Sequence, residues 1–150
     1  MAVEKPWLRF YDAGVPECAD YPEITLSEML DRAVQAQGNR PAIIFPTTAG
    51  DDLIAASLSY AELGARVDRF AAGLQQLGIA KGDRVALHLP NMPQFVIAFY
   101  GILKAGAVVV PVSPLFTARE IQYELNDSGA LAIVTLHRTL PAVEPARAGT

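Results

Sequence analysis

Few side chains in these 150 residues have the type and spacing that chemistry requires. His88 is the last residue but one of the run Val85-Ala86-Leu87-His88-Leu89 that precedes Pro90. At the carboxyl end of a strand, where open α/β sheets bind ligands, an imidazole could serve as a general base near neutral pH. The plainer expectation, and the favoured one, is a histidine packed and hydrogen-bonded within its strand. His137 is expected to face solvent. Two histidines and the single Cys18 supply no C-x-x-C or H-x-x-x-H set for a metal ion, and one cysteine cannot form an internal disulfide.

Phosphate chemistry fares no better. Gly101-Ile102-Leu103-Lys104-Ala105-Gly106-Ala107-Val108 has the G-x-x-x-x-G spacing of a Walker loop, yet Ala107 and Val108 stand where lysine and serine or threonine must reach phosphate and magnesium. The segment also falls at the end of a helix, where the dipole repels an anion and favours a cation such as Lys104. After the run ending at Leu89 comes Pro90-Asn91-Met92-Pro93 in place of G-x-G-x-x-G, and proline removes backbone donors that a pyrophosphate needs. Ser57, Ser59 and Ser113 lack the G-x-S-x-G frame of a nucleophile elbow. Asp83-Arg84 reads as a charged lead into a strand. No catalytic, cofactor-binding or metal-binding residue is therefore assigned.

The elements that would position a site are easier to read. Thr25 and Glu28, Ser59 and Glu62, and Thr117 and Glu120 repeat one capping-box spacing, each opening an amphipathic helix. The stripes are Leu26, Met29, Leu30, Ala33 and Val34 in the first helix, and Leu63, Val67, Phe70, Leu74 and Leu77 in the second, with Gly38 and Gly78 as left-handed stops. Ile24 with Met29, Leu58 with Leu63, and Phe116 with Ile121 are placed to staple the helix starts. Residues 42–45 and 53–59 flank a polar loop as a two-stranded excursion. The second half reads as strand 84–89, helix 93–105, strand 107–110, helix 118–128 and strand 131–136. This βαβαβ alternation predicts an α/β fold with a parallel sheet flanked by helices. The helix over 95–103 is apolar nearly all round, which suits burial in a larger body. The tail from Leu140 to Pro145 is expected to stop short of a helix, leaving the last strand uncovered and the chain a piece of a longer protein.

Composition narrows the class. The chain is 51% hydrophobic and 19% charged, below the usual charged share of about 25%, with a net charge of −4. Mean hydropathy is +0.24. It is long enough for about one domain with a real core, and it lacks the basic footprint of a nucleic-acid partner. Met1 to Phe10 carries Glu4, Lys5, Trp7 and Arg9 with no apolar run, unlike a secretory leader. A reducing cytoplasm is the default for such cysteine use. Residues 94–112 are apolar enough to imitate a membrane span, but Lys104 sits at the middle, and Gly106 before a valine run suggests a helix that ends and becomes a strand. Residues 1–23 read as an extended, proline-containing arm.

Taken in order, these segments resemble the N-terminal part of the adenylate-forming (AMP-binding) acyl-CoA synthetases. Leu58-Ser59-Tyr60-Ala61-Glu62-Leu63 is similar to the family's first core motif, L-[TS]-Y-x-E-L. Leu103-Lys104-Ala105-Gly106-Ala107-Val108-Val109-Val110-Pro111 is similar to its second, L-K-A-G-x-x-x-x-P. Gly78-Ile79, Gly82-Asp83-Arg84-Val85-Ala86 and Leu89-Pro90-Asn91 fall between them as in the family. Lys5-Pro6-Trp7-Leu8, Tyr21-Pro22-Glu23-Ile24, Pro114-Leu115-Phe116-Thr117-Ala118-Arg119-Glu120 and Asn126-Asp127-Ser128-Gly129-Ala130 resemble the long-chain fatty acid CoA ligase branch.

The resemblance implies a two-step ligase reaction in the parent protein. ATP and a fatty acid give an acyl-adenylate and pyrophosphate, and the CoA thiol then displaces AMP, with Mg2+ as a further cofactor. It makes residues 24–150 a partial AMP-binding domain that stops before the phosphate loop, partnered by a downstream domain. The phosphate loop, the magnesium-binding acids and the C-terminal lysine that the chemistry needs have no counterpart here, so this chain alone is expected to be inactive and to hold none of ATP, Mg2+ or CoA fully. The implied location is cytoplasmic, with room for peripheral contact at the inner membrane. The competing readings are a non-catalytic binding or interaction module that kept this scaffold and, less well supported, a one-span membrane protein.

Overall fold

The computed structural model describes residues 5–49 and 52–150. The start of the arm at residues 1–4 and the tip of the polar loop at 50–51 lie outside them. The arm holds one 3-10 turn, Pro6–Phe10, and no helix or strand again until Leu26. Then follow helix α1 (Leu26–Gln37), strands β1 (Pro41–Ala49) and β2 (Asp52–Ser59), and helix α2 (Tyr60–Gln76). The second half is β3 (Arg84–His88), α3 (Pro93–Lys104), β4 (Val108–Pro111), α4 (Ala118–Ser128), β5 (Ala132–Thr135) and α5 (Leu140–Arg147).

All three capping boxes form. Thr25, Ser59 and Thr117 each accept from the main chain three residues on, while Glu28, Glu62 and Glu120 reach back to the cap N–H at 2.7, 2.9 and 2.7 Å. These bonds satisfy N–H groups that a helix start would otherwise leave open. They also hold the three glutamate carboxyls below their usual range, the main-chain bond being the larger cause.

β1 and β2 form an antiparallel pair, while β3, β4 and β5 form a parallel sheet in the order β4-β3-β5. Alternate residues of β3 feed opposite layers, as the period of a strand requires. Val85 and Leu87 pack with Ala98 and Ile102 of α3 and Ala71 and Leu74 of α2. Ala86 packs with Ile121 and Leu125 of α4 and Val143 and Ala146 of α5. A third cluster, built on Leu30, Leu63 and Val67, joins α1 and α2 to the hairpin and α3.

Two glycines set the spacing of the three-helix layer. A Cβ on Gly64 would lie 2.9 Å from Val34 Cγ2, and one on Gly101 would lie 2.6 Å from Phe70 Cδ1. Only a residue without a side chain lets α2 approach both neighbours this closely.

The structure corrects several expectations. Residues 140–147 do form a helix, which covers the α4 side of the sheet with Val143 and Ala146 buried. Pro141 stands in its first turn, where no N–H is needed, so the tail does not leave the last strand uncovered. Gly38 is right-handed, with φ −42° and ψ −44°. The end of α1 is instead fastened by tertiary bonds, Ala61 N to Gly38 O and Tyr60 N to Arg40 O, both 3.0 Å. Leu77 lies past the end of its stripe at 81% exposure, and Leu26 and Met29 are also exposed, so α1 buries mainly Leu30. The apolar helix α3 is buried at Ala98, Gly101 and Ile102 and half-buried elsewhere on its apolar faces.

Candidate functional site

From β3 the chain moves to one neighbour, β4, and then crosses to the other side of the sheet for β5. In an open α/β sheet such a reversal leaves a crevice outside the carboxyl ends of the strands, here between β3 and β5. His88 and Thr135 occupy those ends as register partners. His88 Nδ1 lies 2.8 Å from Thr135 Oγ1, and Thr135 Oγ1 lies 2.9 Å from Thr139 Oγ1. Thr139 Oγ1 donates to the Leu136 carbonyl at 3.0 Å.

The direction of this chain follows from the proton count. A carbonyl only accepts, and a hydroxyl has one proton to give. Thr139 spends its proton on Leu136, so it must accept from Thr135, and Thr135 must accept from His88. With all three bonds made, His88 carries its proton on Nδ1 and presents a bare lone pair at Nε2. That nitrogen is buried without a hydrogen-bond partner among the described residues. The residue is 1% exposed. Burial lowers its pKa below the usual 6.5, with the Ser113 main chain pulling weakly the other way.

A second polar cluster lies at the far end of α3. Lys104 Nζ contacts Asp31 of α1 and Asp68 of α2, each at 2.6 Å, and so ties three helices together. Burial alone would lower the ammonium pKa, but the hydrogen bonds it donates to Asp31 and then Asp68 outweigh it and hold the group above its usual 10.5. Lys104 therefore does more than sit favourably in the last turn. Sequence reading named neither aspartate, nor Thr135 or Thr139.

The other candidates are placed apart. His137, Cys18 and Ser57 are exposed, and Ser59 is a helix cap. Ser113 Oγ accepts from Leu115 N at 3.3 Å. Asp83 accepts from Ala80 N at 2.7 Å, closing the turn ahead of β3. Gly101 serves helix packing, and Gly106, at φ 83°, ends α3. An apolar groove of about 320 Å³ runs between Ile43 and Phe45 of β1 and Met92, Pro93 and Phe95 beyond β3. Among the described residues no group of three or more His, Cys, Asp or Glu could hold a metal ion.

Comparison with known proteins gives this arrangement its context. A long-chain-fatty-acid–CoA ligase of Yersinia pestis is 44% identical over 134 residues, which are 88% of this chain and 22% of the relative. One of Bacillus subtilis is 36% identical over 141 residues, 94% of this chain and 24% of the relative. The chain thus spans less than a quarter of the length of these curated relatives. The inhibitor-bound N-terminal domain of FACL13 from Mycobacterium tuberculosis superposes with a TM-score of 0.71 at 34% identity, over 81% of this chain and 29% of that one. A benzoate CoA ligase from Burkholderia xenovorans LB400 gives 0.74 at 26% identity, over 85% of this chain and 24% of that one. The AMP-binding enzyme model matches residues 30–149, from the middle of α1 through the end of α5, and the chain belongs to that family.

Proposed function

We propose that this chain is the opening scaffold of a fatty-acid CoA ligase. In the whole enzyme, ATP and a fatty acid would form an acyl-adenylate and release pyrophosphate, after which CoA would displace AMP to give acyl-CoA. The observation that carries this reading is the 44% identity to a long-chain-fatty-acid–CoA ligase across 88% of the chain. Residues 24–150 are then the first part of the AMP-binding domain, ahead of its phosphate loop, with residues 1–23 as an arm. The proposed location is the cytoplasm. No helix of the described residues is long and apolar enough to cross a membrane, so contact of these helices with the inner membrane would be peripheral.

The residues present do not fit ATP, Mg2+ or CoA. The turn after β3 leads into Pro93, which has no N–H to offer a phosphate, and among the described residues no acidic cluster accompanies it. No step of the reaction is therefore assigned to this chain, whose proposed part is to hold the sheet and helices against which the remainder builds the site. The test is to express the reading frame with whatever follows Thr150 and assay AMP release with CoA and acids of different kinds. Palmitate or oleate should be preferred over benzoate at least tenfold. A preference for aryl acids, or no AMP release with any acid, would overturn the fatty-acyl reading.

A further inference from the structure

His88 is buried at the head of a directional, part-buried cluster that the proposed ligase scaffold does not use. On the period of the strand, His88 shares the face of Ala86, the face covered by α4 and α5. Neutral, the ring donates from Nδ1 into the Thr135–Thr139–Leu136 chain and so clasps the carboxyl ends of β3 and β5 to the turn that starts α5. A second proton would have to sit on Nε2, which makes no hydrogen bond among the described residues, and the residue is 1% exposed; the Ser113 main chain favours the charged form but is an uncharged neighbour. A buried cation is unfavourable unless a counter-charge is at hand.

Among the described residues no counter-charge is in place. β4 and β5 contain no ionisable side chain. On α4, Arg119, Glu120, Tyr123 and Asp127 are exposed and Glu124 is half-buried; on α5, Glu144 and Arg147 are exposed, as are His137 and Arg138 in the turn before it. None of them bonds the ring.

We propose that His88 is a proton-operated latch at the switch point of the sheet: closed while the imidazole is neutral, and released when protonation drives the ring out from beneath α4 and α5. The linkage has a definite sign. A histidine whose folded pKa is depressed binds more protons in the open state, so closure weakens as pH falls below about 6.5. Between that value and the lower folded one, the opening constant rises by up to about tenfold per pH unit.

The experiment uses the 150-residue chain labelled with 15N, followed by long-range proton–nitrogen spectra of both imidazoles from pH 8 to pH 5. Amide exchange at Leu136 and Thr139 is measured in parallel on wild type and His88→Asn, which keeps a donor near the Nδ1 position but cannot take a proton. The expected result is an Nδ1–H tautomer for His88, a midpoint below the usual 6.5, and acid-enhanced opening at Leu136 and Thr139 in wild type only. An Nε2–H tautomer, a midpoint at or above 6.5, or equal acid-enhanced opening in H88N would overturn the latch. If H88N fails to fold, the wild-type tautomer and midpoint decide the matter by themselves.

Discussion

His88 ends strand β3 and Lys104 ends the helix α3 that follows it, and the two solve the same problem in opposite ways. The Lys104 side chain keeps 27% of its surface exposed and meets two carboxylates at 2.6 Å. It remains charged, and burial is outweighed by its partners. His88 keeps 1% exposure, meets two hydroxyl-bearing neighbours in series, and has no carboxylate. There burial is the larger influence, and the neutral ring is favoured. The surroundings decide the charge state: water and counter-charge at one end, a buried ring on a part-buried hydrogen-bond relay at the other.

The sharpest way to break this contrast is to place a fixed charge at the buried end. His88→Lys should cost about 3–5 kcal/mol, the scale of an uncompensated buried charge, and chemical denaturation should show it as a large loss of midpoint or as failure to fold. A stable H88K protein would mean that the carboxyl edge is wetter than its geometry implies. The next test attacks the approach of helices that brings Asp68 to Lys104. Gly101→Ala drives a Cβ against Phe70 and should cost about 1–3 kcal/mol by overpacking, with α2 displaced from α3. A neutral effect in thermal unfolding would show that the layer has slack.

Smaller effects calibrate the rest. Ser59→Ala removes the cap of α2 and should cost about 1 kcal/mol in urea unfolding, whereas an exposed serine outside a cap should cost almost nothing. Lys104→Met should cost less than about 1 kcal/mol for each half-exposed ion pair, and raising salt should shrink the difference from wild type. The pH dependence separates the two ends most cleanly. The Lys104 contribution is fully present below its usual 10.5 and is lost only as pH rises through its higher folded value. The His88 penalty appears instead as pH falls below 6.5. The gap between K104M and wild type should therefore hold steady through neutrality and close only at alkaline pH, whereas the gap between H88N and wild type should change below pH 6.5.

Much of the fold was legible because its signals are local. A capping box needs two residues three apart, and all three formed where Thr25, Ser59 and Thr117 marked them. The bounds of α4, Ala118–Ser128, were readable because Thr117 opens it and Gly129 adopts the left-handed stop at φ 62°. The tail misled because Pro141 and Pro145 look like breakers, although Val143 and Ala146 carry the i, i+3 spacing of a buried helix face. The polar clusters were hidden for a different reason. Lys104 meets Asp31 across 73 positions, and His88 meets Thr135 across 47. Neither pairing has a local signature; each depends on the helix layering or on the strand order β4-β3-β5. The buried, packed state of His88 was anticipated, but its relay was not.

Under the proposed function, this chain supplies architecture to an acyl-activating enzyme and takes no part in the chemistry itself. The most direct test is to incubate the purified 150-residue protein with ATP, Mg2+ and palmitate, with hydroxylamine present to trap any acyl-adenylate. The predicted result is no acyl hydroxamate and no pyrophosphate above the protein-free blank. Accumulation of either, in proportion to protein and dependent on the fatty acid, would contradict the account.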